Sequence, residues 1–212
     1  MELMSGFYRQ NEDSLSLLLQ QYVCGGVPVC LGCVCGGKMS EAGIKGGLIT
    51  GWLLRQFRGL NLCEVIGKPQ KFIGRFEREL NTCWDRHSVL QNFWTVGILC
   101  IGYEFLIFYE GAVQLWLCNT YLGRPALQRI GGDDRTETHE LRFHRGIMES
   151  DIGILLASES FCRQLSTKEL SSCLAVKAIK DSTQTQKRIR ELGSLAEKKG
   201  GRNMAALLLE IR

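Results

Sequence analysis

The chain has 212 residues, of which 45% are hydrophobic and 23% are charged, and its formal net charge is +4. Such a chain buries enough apolar surface for one core, or at most two small ones. The charge is mild, and there is no arginine-rich arm or basic stripe interleaved with aromatic residues, so we expect no nucleic-acid binding.

The N-terminus lacks a basic-then-apolar signal pattern, and the longest apolar run, residues 93–103, is too short to span a bilayer. We therefore expect a soluble, cytoplasmic protein without a membrane partner. In that compartment its cysteines stay reduced.

The first third of the sequence predicts two strands and two helices. Short runs of apolar and β-branched residues predict strands over 14–19 and 27–35. Apolar residues at helical spacing predict a helix over about 46–57 and a second over 70–87. The residues expected on the buried faces are Leu48, Trp52, Leu53 and Phe57 in the first helix and Phe72, Phe76, Leu80 and Trp84 in the second.

The middle of the chain is rich in predicted strands. Apolar runs separated by short turns predict an antiparallel set over 95–102, 104–111, 113–118 and about 141–146. A further apolar strand is predicted over 151–158.

The last quarter predicts two helices and a strand. Ser166 and Glu169 have the spacing of a capping box, which predicts that a helix opens there, within 165–179. A charged helix over 184–201 ends on glycines, and an apolar strand over 204–212 follows. Helices at both ends with strands between them predict an α+β fold in one domain, residues 1–212, with helices covering the sheets.

Four of the ten cysteines cluster at positions 24, 30, 33 and 35, which raises the question of a zinc or redox site. Structural zinc needs four ligands, and Cys30 and Cys33 supply only one knuckle. On a strand, Cys33 and Cys35 point to one side and Cys30 to the other. A redox pair is expected at a helix N-terminus rather than within a strand. We interpret these cysteines as core residues, and a zinc or thiol protein built on Cys24, Cys30, Cys33 and Cys35 is the alternative.

Four segments, 6–18, 34–57, 151–170 and 197–211, carry motifs in a fixed order. The first has Asn-Glu-Asp-Ser before a strand, and the second is a strand that ends in glycines before a helix. The third is an apolar strand followed by Leu-Ser-x-x-Glu-Leu, and the last has Arg-Asn before a terminal strand. Together they resemble the metal-dependent serine/threonine protein phosphatases of type 2C over essentially the whole chain. The resemblance implies a four-layer sandwich of two antiparallel β-sheets flanked by helices.

The resemblance also implies a metal site. Members of this family hydrolyse phosphoserine and phosphothreonine with two Mg²⁺ or Mn²⁺ ions, which need several hard oxygen ligands. Glu12 matches a metal-ligand glutamate, Asp13 matches the aspartate that holds metal-bound water, and Gly37 matches a backbone-carbonyl ligand. Arg9 lies one place from the position of the phosphate-binding arginine, where Tyr8 stands.

The other motif positions depart from the family pattern. Gly36 stands where the bridging aspartate is expected, Glu159 replaces the aspartate of Ser-Asp-Gly, and Asn203 replaces that of Arg-Asp-Asn. Residues 111–114, GAVQ, stand in place of the central Gly-Asp-Ser-Arg turn. These changes remove two negative charges and the bridge, so we expect two-metal catalysis to be severely impaired. Glu12 and Asp13 also fit an ordinary polar turn, and Glu159 fits a solvated loop carboxylate.

The sequence therefore favours a non-catalytic, pseudophosphatase-like regulatory module that needs no cofactor and binds a phosphorylated protein, a kinase or a phosphatase. The alternative is a weak phosphatase with one Mn²⁺ or Mg²⁺ ion held by Glu12, Glu159 and the carbonyl of Gly37, assisted by Asn203. The carboxylates of 133–134 are interpreted as solvated loop residues.

Overall fold

The computed structural model describes residues 3–10, 15–37, 40–59, 65, 67–84, 93–121, 124–131, 141–148, 152–174 and 182–211. Within these residues the chain forms two five-stranded sheets and five helices. The strands are β1 (Leu3–Arg9), β2 (Leu15–Cys24), β3 (Val27–Gly36), β4 (Trp94–Ile101), β5 (Glu104–Glu110), β6 (Val113–Tyr121), β7 (Arg124–Gly131), β8 (Arg142–Ile147), β9 (Ile152–Ser158) and β10 (Ala205–Ile211). The helices are α1 (Ser40–Arg58), α2 (Pro69–Trp84), α3 (Glu159–Arg163), α4 (Thr167–Leu174) and α5 (Ser182–Lys198).

The strands divide into two antiparallel sheets. Sheet I has the order β1-β10-β9-β6-β7, and sheet II has the order β2-β3-β4-β5-β8. Every pairing within them is antiparallel. The side chains of a strand alternate between the two faces of its sheet. Each sheet can therefore bury both faces only if helices cover the face that does not contact the other sheet.

Three apolar clusters fill the spaces between four layers. The first lies between the two sheets and joins residues such as Ile98 and Leu207. The second packs α1 and α2 on the outer face of sheet II, and the third packs α3, α4 and α5 on the outer face of sheet I. This arrangement confirms the predicted α+β fold and the four-layer sandwich. None of the helices in the described residues is long and apolar enough to cross a membrane.

The cysteines of β3 lie on opposite faces of sheet II, as the sequence predicts. Cys33 and Cys35 belong to the cluster beneath the helices, while Cys30 belongs to the cluster between the sheets. Burial raises the pKa of the Cys30 thiol to about 12 and that of Cys33 well above its ordinary value, so both are neutral thiols at physiological pH. The Cys35 sulfur lies 3.0 Å from the Thr95 hydroxyl. These residues are core residues; the side chain of Cys24 lies outside the described part.

The ends of two helices follow the predicted capping chemistry. The Ser166 backbone N–H donates to Glu169 at 2.8 Å, and the Glu169 N–H donates to the Ser166 hydroxyl at 3.3 Å, which is a capping box at the start of α4. Helix α5 ends at Lys198; Gly200, two residues further on, has φ +93°, and the Gly201 N–H donates to the Ala196 carbonyl at 3.0 Å. The predicted continuation of α4 to 179 falls beyond the residues described for that helix.

Several sequence expectations are wrong in detail. The strands β1 and β7 were not expected, and β6 pairs with β7 and β9 in sheet I rather than with β5. Leu48, expected on the buried face of α1, is 56% exposed, and Ile49 takes its place beside Leu53 and Phe57. On α2 the expected residues are buried, namely Phe72, Phe76, Leu80 and Trp84.

Candidate metal-site region at one end of the sandwich

One end of the sandwich brings the sequence motifs together, and we call it the motif end. In sheet I, Arg9 at the end of β1 pairs with Ala205 at the start of β10. In sheet II, Gly36 at the end of β3 pairs with Leu15 and Trp94, which begin β2 and β4. The Arg9 Nη1 donates to the Leu15 carbonyl at 3.4 Å and joins the two sheets at this end. Antiparallel pairing thus gathers motifs that are far apart in the chain.

Gly36, at the position expected for the bridging aspartate, lies against two apolar side chains. A Cβ on this residue would lie 2.3 Å from Leu15 Cδ2 and 2.6 Å from Trp94 Cζ2. Both distances are far inside the roughly 3.5–4.0 Å at which carbon atoms pack. Leu15 and Trp94 are themselves buried. A carboxylate at position 36 would therefore require both side chains to move.

Gly37 directly follows β3 and is buried at the same end. Helix α1 comes close to the strands here, since a Cβ on Gly46 would lie 2.9 Å from the Ser16 hydroxyl oxygen and 3.1 Å from Cys35 Cβ. A glycine at position 46 lets the helix approach β2 and β3 without displacing them.

The third and fourth motifs contact each other through Ser158, Ser160 and Asn203. The Ala205 N–H donates to Ser158 Oγ at 3.2 Å, and the hydroxyls of Ser158 and Ser160 lie 3.2 Å apart. The Ser160 hydroxyl donates to the Asn203 carbonyl at 3.2 Å. Asn203 has φ +52°, a left-handed conformation that asparagine adopts more readily than most residues. These hydrogen bonds connect the end of β9 to the start of β10.

Glu159 begins α3 at the motif end. Its backbone N–H donates to the Ala112 carbonyl at 2.8 Å, which places residues 111–114 beside it. Its carboxylate lies 3.9 Å from Arg163 Nε, and its side chain is 23% exposed. The carboxylate is therefore partly open to solvent and has a cation one helical turn away.

Glu12, Asp13 and the pair at 133–134 all lie outside the described residues. Among the residues that are described, no group of three or more histidine, cysteine, aspartate or glutamate side chains could hold a metal ion. In the described part of the motif end, Glu159 is the carboxylate that the sequence motifs supply.

Sequence reasoning missed a buried charged cluster next to this end. Lys45 on α1 is 7% exposed and Glu110 at the end of β5 is 2% exposed. The Lys45 ammonium lies 4.5 Å from the ring centre of Phe93 and 5.6 Å from that of Trp84, within cation–π range. The Trp84 Nε1–H donates to Glu110 Oε2 at 2.7 Å. The only signal in the sequence was Glu110, the acid that closes the apolar run 105–109.

The comparisons with known proteins rest on the fold. No protein-family model matches the sequence, and no curated protein matches it. The solved structures do: a serine/threonine phosphatase of S. agalactiae has 11% identity, covers 100% of both chains and has a TM-score of 0.61. PppA, a regulatory component of the type VI secretion system in Pseudomonas aeruginosa, has 16% identity, covers 99% of this chain and 98% of its own, and has a TM-score of 0.60.

A third match is the catalytic domain of the serine/threonine protein phosphatase PstP, solved with two manganese ions. It has 13% identity, covers 98% of this chain and 96% of that domain, and has a TM-score of 0.61. This chain has the fold of serine/threonine phosphatases. That fold is the one implied by the resemblance of the four motifs to the type 2C family. At these identities the likeness concerns the fold, and the chemistry has to be argued from the residues at the motif end.

Proposed function

We propose that this protein is a non-catalytic member of the type 2C phosphatase fold, and that it binds a phosphorylated protein, or a kinase or phosphatase that acts on one. The observation that carries the proposal is the packing at Gly36. Leu15 Cδ2 and Trp94 Cζ2 fill the space into which a side chain at this position would project. The position expected to bridge two metal ions thus offers no carboxylate, and a side chain there would have to displace both Leu15 and Trp94.

The charge at the motif end supports the same conclusion. Two divalent cations held close together need several anionic oxygen ligands, because hard cations bind largely through ligand charge. Asn203 supplies a neutral side chain where a carboxylate was expected, and its backbone carbonyl already accepts a hydrogen bond from Ser160. Glu159 has Arg163 within 3.9 Å, which lowers its value as a ligand for a further cation. The described residues therefore do not fit a two-metal centre, and we derive no catalytic step through one.

The decisive experiment is calorimetric titration of Mn²⁺ into purified, metal-stripped protein, with Mn²⁺-dependent phosphate release from a phosphoserine peptide measured on the same sample. We expect no saturable heat and no phosphate release above the rate in buffer. Glu12→Ala removes the carboxylate expected to bind metal in the first motif, and Glu79→Ala on the exposed face of α2 is the matched control.

Micromolar Mn²⁺ binding that Glu12→Ala abolishes and Glu79→Ala leaves intact would contradict the absence of a metal site. If the native protein also released phosphate, and if Glu12→Ala abolished this release together with Mn²⁺ binding, the weak single-metal phosphatase would be the correct function. In that case Glu12, Glu159 and the Gly37 carbonyl would be the ligands to examine next.

A further inference from the structure

A groove runs along the outer face of α5, on the helical layer that covers sheet I. It has a volume of about 540 Å³, and its lining includes Lys187, Arg190, Ser194 and Lys198. All four side chains are exposed. Residues 187, 190, 194 and 198 follow helical spacing, so they form one continuous stripe along the helix.

A second cavity, of about 360 Å³, continues this groove between α4 and α5. It shares Glu191 and Leu195 with the first and adds Lys168. Leu192, which is 1% exposed, also lines it, so the cavity has an apolar floor beneath a charged rim. We call the two cavities together the α5 groove.

The α5 groove carries an excess of positive charge. Its two acidic residues are each matched by a lysine: Glu191 lies 3.9 Å from Lys187, and Glu169 accepts hydrogen bonds from Lys199 at 2.7 Å. Three further cations then line the groove, and they are Lys168, Arg190 and Lys198. A cationic rim over an apolar floor is complementary to an acidic segment with an apolar side chain.

The α5 groove leads toward the motif end. At the start of α5 the Thr185 hydroxyl donates to Glu210, which lies in β10 far from the motif end. Near the end of α5 the Tyr8 hydroxyl bonds to Glu197, and Tyr8 is the neighbour of Arg9 at the motif end. A segment lying along the helix would therefore extend toward Gly36, Ser160 and Asn203.

We propose that the α5 groove docks a short acidic segment of a partner protein that carries a phosphorylated serine or threonine. The phosphoryl group adds nearly two negative charges and three acceptor oxygens, which suit the Arg190 guanidinium and the Lys198 ammonium. Leu195 and the floor at Leu192 receive an apolar side chain of the segment. This inference rests on the proposed function and gives it a binding surface.

The test uses the full chain and a fluorescein-labelled twelve-residue peptide of alternating leucine and aspartate with one central phosphoserine. Anisotropy gives its dissociation constant at low and at physiological salt, where screening weakens exposed charge pairs. The Arg190→Glu/Lys198→Glu variant reverses two charges in the groove. The matched control, Lys71→Glu/Arg78→Glu, makes the same change in net charge on exposed residues of α2, which covers the other sheet.

We expect the groove variant to weaken binding at least tenfold and the control variant to weaken it less than threefold, with circular dichroism showing that both are folded. Equal losses in the two variants would overturn the proposal, because they would show attraction by net charge alone. No binding by the native protein would overturn it as well. Equal affinity for the same peptide with serine in place of phosphoserine would overturn the assignment to a phosphorylated segment.

Two further measurements separate this inference from its alternatives. The first uses a labelled twelve-nucleotide oligothymidylate. If it binds more tightly than the phosphopeptide, and if the groove variant no longer binds it, the α5 groove is a nucleic-acid surface and the proposal is overturned. Mn²⁺-dependent phosphate release from the peptide would refute the non-catalytic function. In that case the effect of the groove variant on peptide affinity would still decide whether the α5 groove is the docking surface.

Discussion

Introducing one methyl group at position 36 tests the packing on which the proposed function depends. In a Gly36→Ala variant the new Cβ would start 2.3 Å from Leu15 Cδ2, more than about 1 Å inside normal carbon–carbon contact. Overpacking of a buried site of this kind costs about 1–3 kcal/mol. We therefore expect the free energy of unfolding to fall by that amount.

The partner of this change is Leu15→Ala, which removes the nearest atoms. Leu15 is 3% exposed, so the single substitution should cost about 2–5 kcal/mol through the cavity that it leaves. In the double variant the alanine at position 36 meets a smaller neighbour. The losses of unfolding free energy in the two single variants should therefore sum to more than the loss measured for the double variant. The relief is partial, because Trp94 Cζ2 still lies 2.6 Å from the new Cβ.

The assay is urea unfolding followed by tryptophan fluorescence, with all four proteins of the cycle measured under the same conditions. A matched control is Gly47→Ala on α1, where a Cβ would meet nothing within 4 Å. Because alanine is the better helix former, this change should stabilise the protein by about 0.5–1 kcal/mol. If the effects of Gly36→Ala and Leu15→Ala add to within about 0.5 kcal/mol, the reasoning is refuted, since independent sites behave in that way.

Two further predictions concern polar contacts. Replacing Trp84 with phenylalanine removes the indole N–H that donates to the buried Glu110 carboxyl at 2.7 Å. This change should lower the free energy of unfolding by about 1–3 kcal/mol. An unchanged urea midpoint would show that the hydrogen bond contributes nothing to stability. Hydrogen bonds from Lys199 and then from Ser166 lower the pKa of the Glu169 carboxyl to about 2. This stabilisation is complete above the unfolded-state pKa of about 4.3 and is lost as the pH falls toward 2, so a Glu169→Gln variant should be less stable than the native protein at pH 6 and approach it on acidification. A stability difference that stays constant from pH 6 to pH 3 would contradict the assignment.

Much of the fold can be read from local patterns. The opposite faces of Cys30 and Cys33 follow from the two-residue period of a strand, and the capping box at Ser166 follows from one spacing. The two missed strands are both edge strands of sheet I, and they lack a continuous apolar run. The strand β7 also contains Pro125, which demotes a strand prediction.

The buried face of α1 is a feature that local sequence patterns do not determine. Leu48 and Ile49 are adjacent apolar residues, and either could begin the buried stripe that includes Leu53. Only the position of the sheet beneath the helix decides that Ile49 is buried and Leu48 exposed. The pattern gives the existence of an amphipathic helix, whereas its rotation about its own axis is set by tertiary contacts.

At the motif end, too, the sequence predicts some features and misses others. The sequence shows that a glycine stands at position 36, but it does not show that Leu15 and Trp94 fill the space beside it. That contact depends on the register of β2 and β4 on either side of β3. The cluster of Lys45 and Glu110 likewise joins separate segments, so no spacing rule could find it.

Under the proposed function no metal pair holds the motif end, and the packing at Gly36 is one of the contacts that would hold it in that case. Carboxylates gathered around a metal pair repel one another when the metal is absent, since like charges disfavour their mutual ionisation. Here the central position carries no charge, and apolar side chains occupy the space around it. Neutral hydrogen bonds from Ala205 to Ser158 and from Ser160 to Asn203 also connect the strand ends. Under the proposed function, loss of the bridge and retention of the fold are therefore compatible, because Gly36 and Asn203 add no negative charge that a metal pair would have to neutralise.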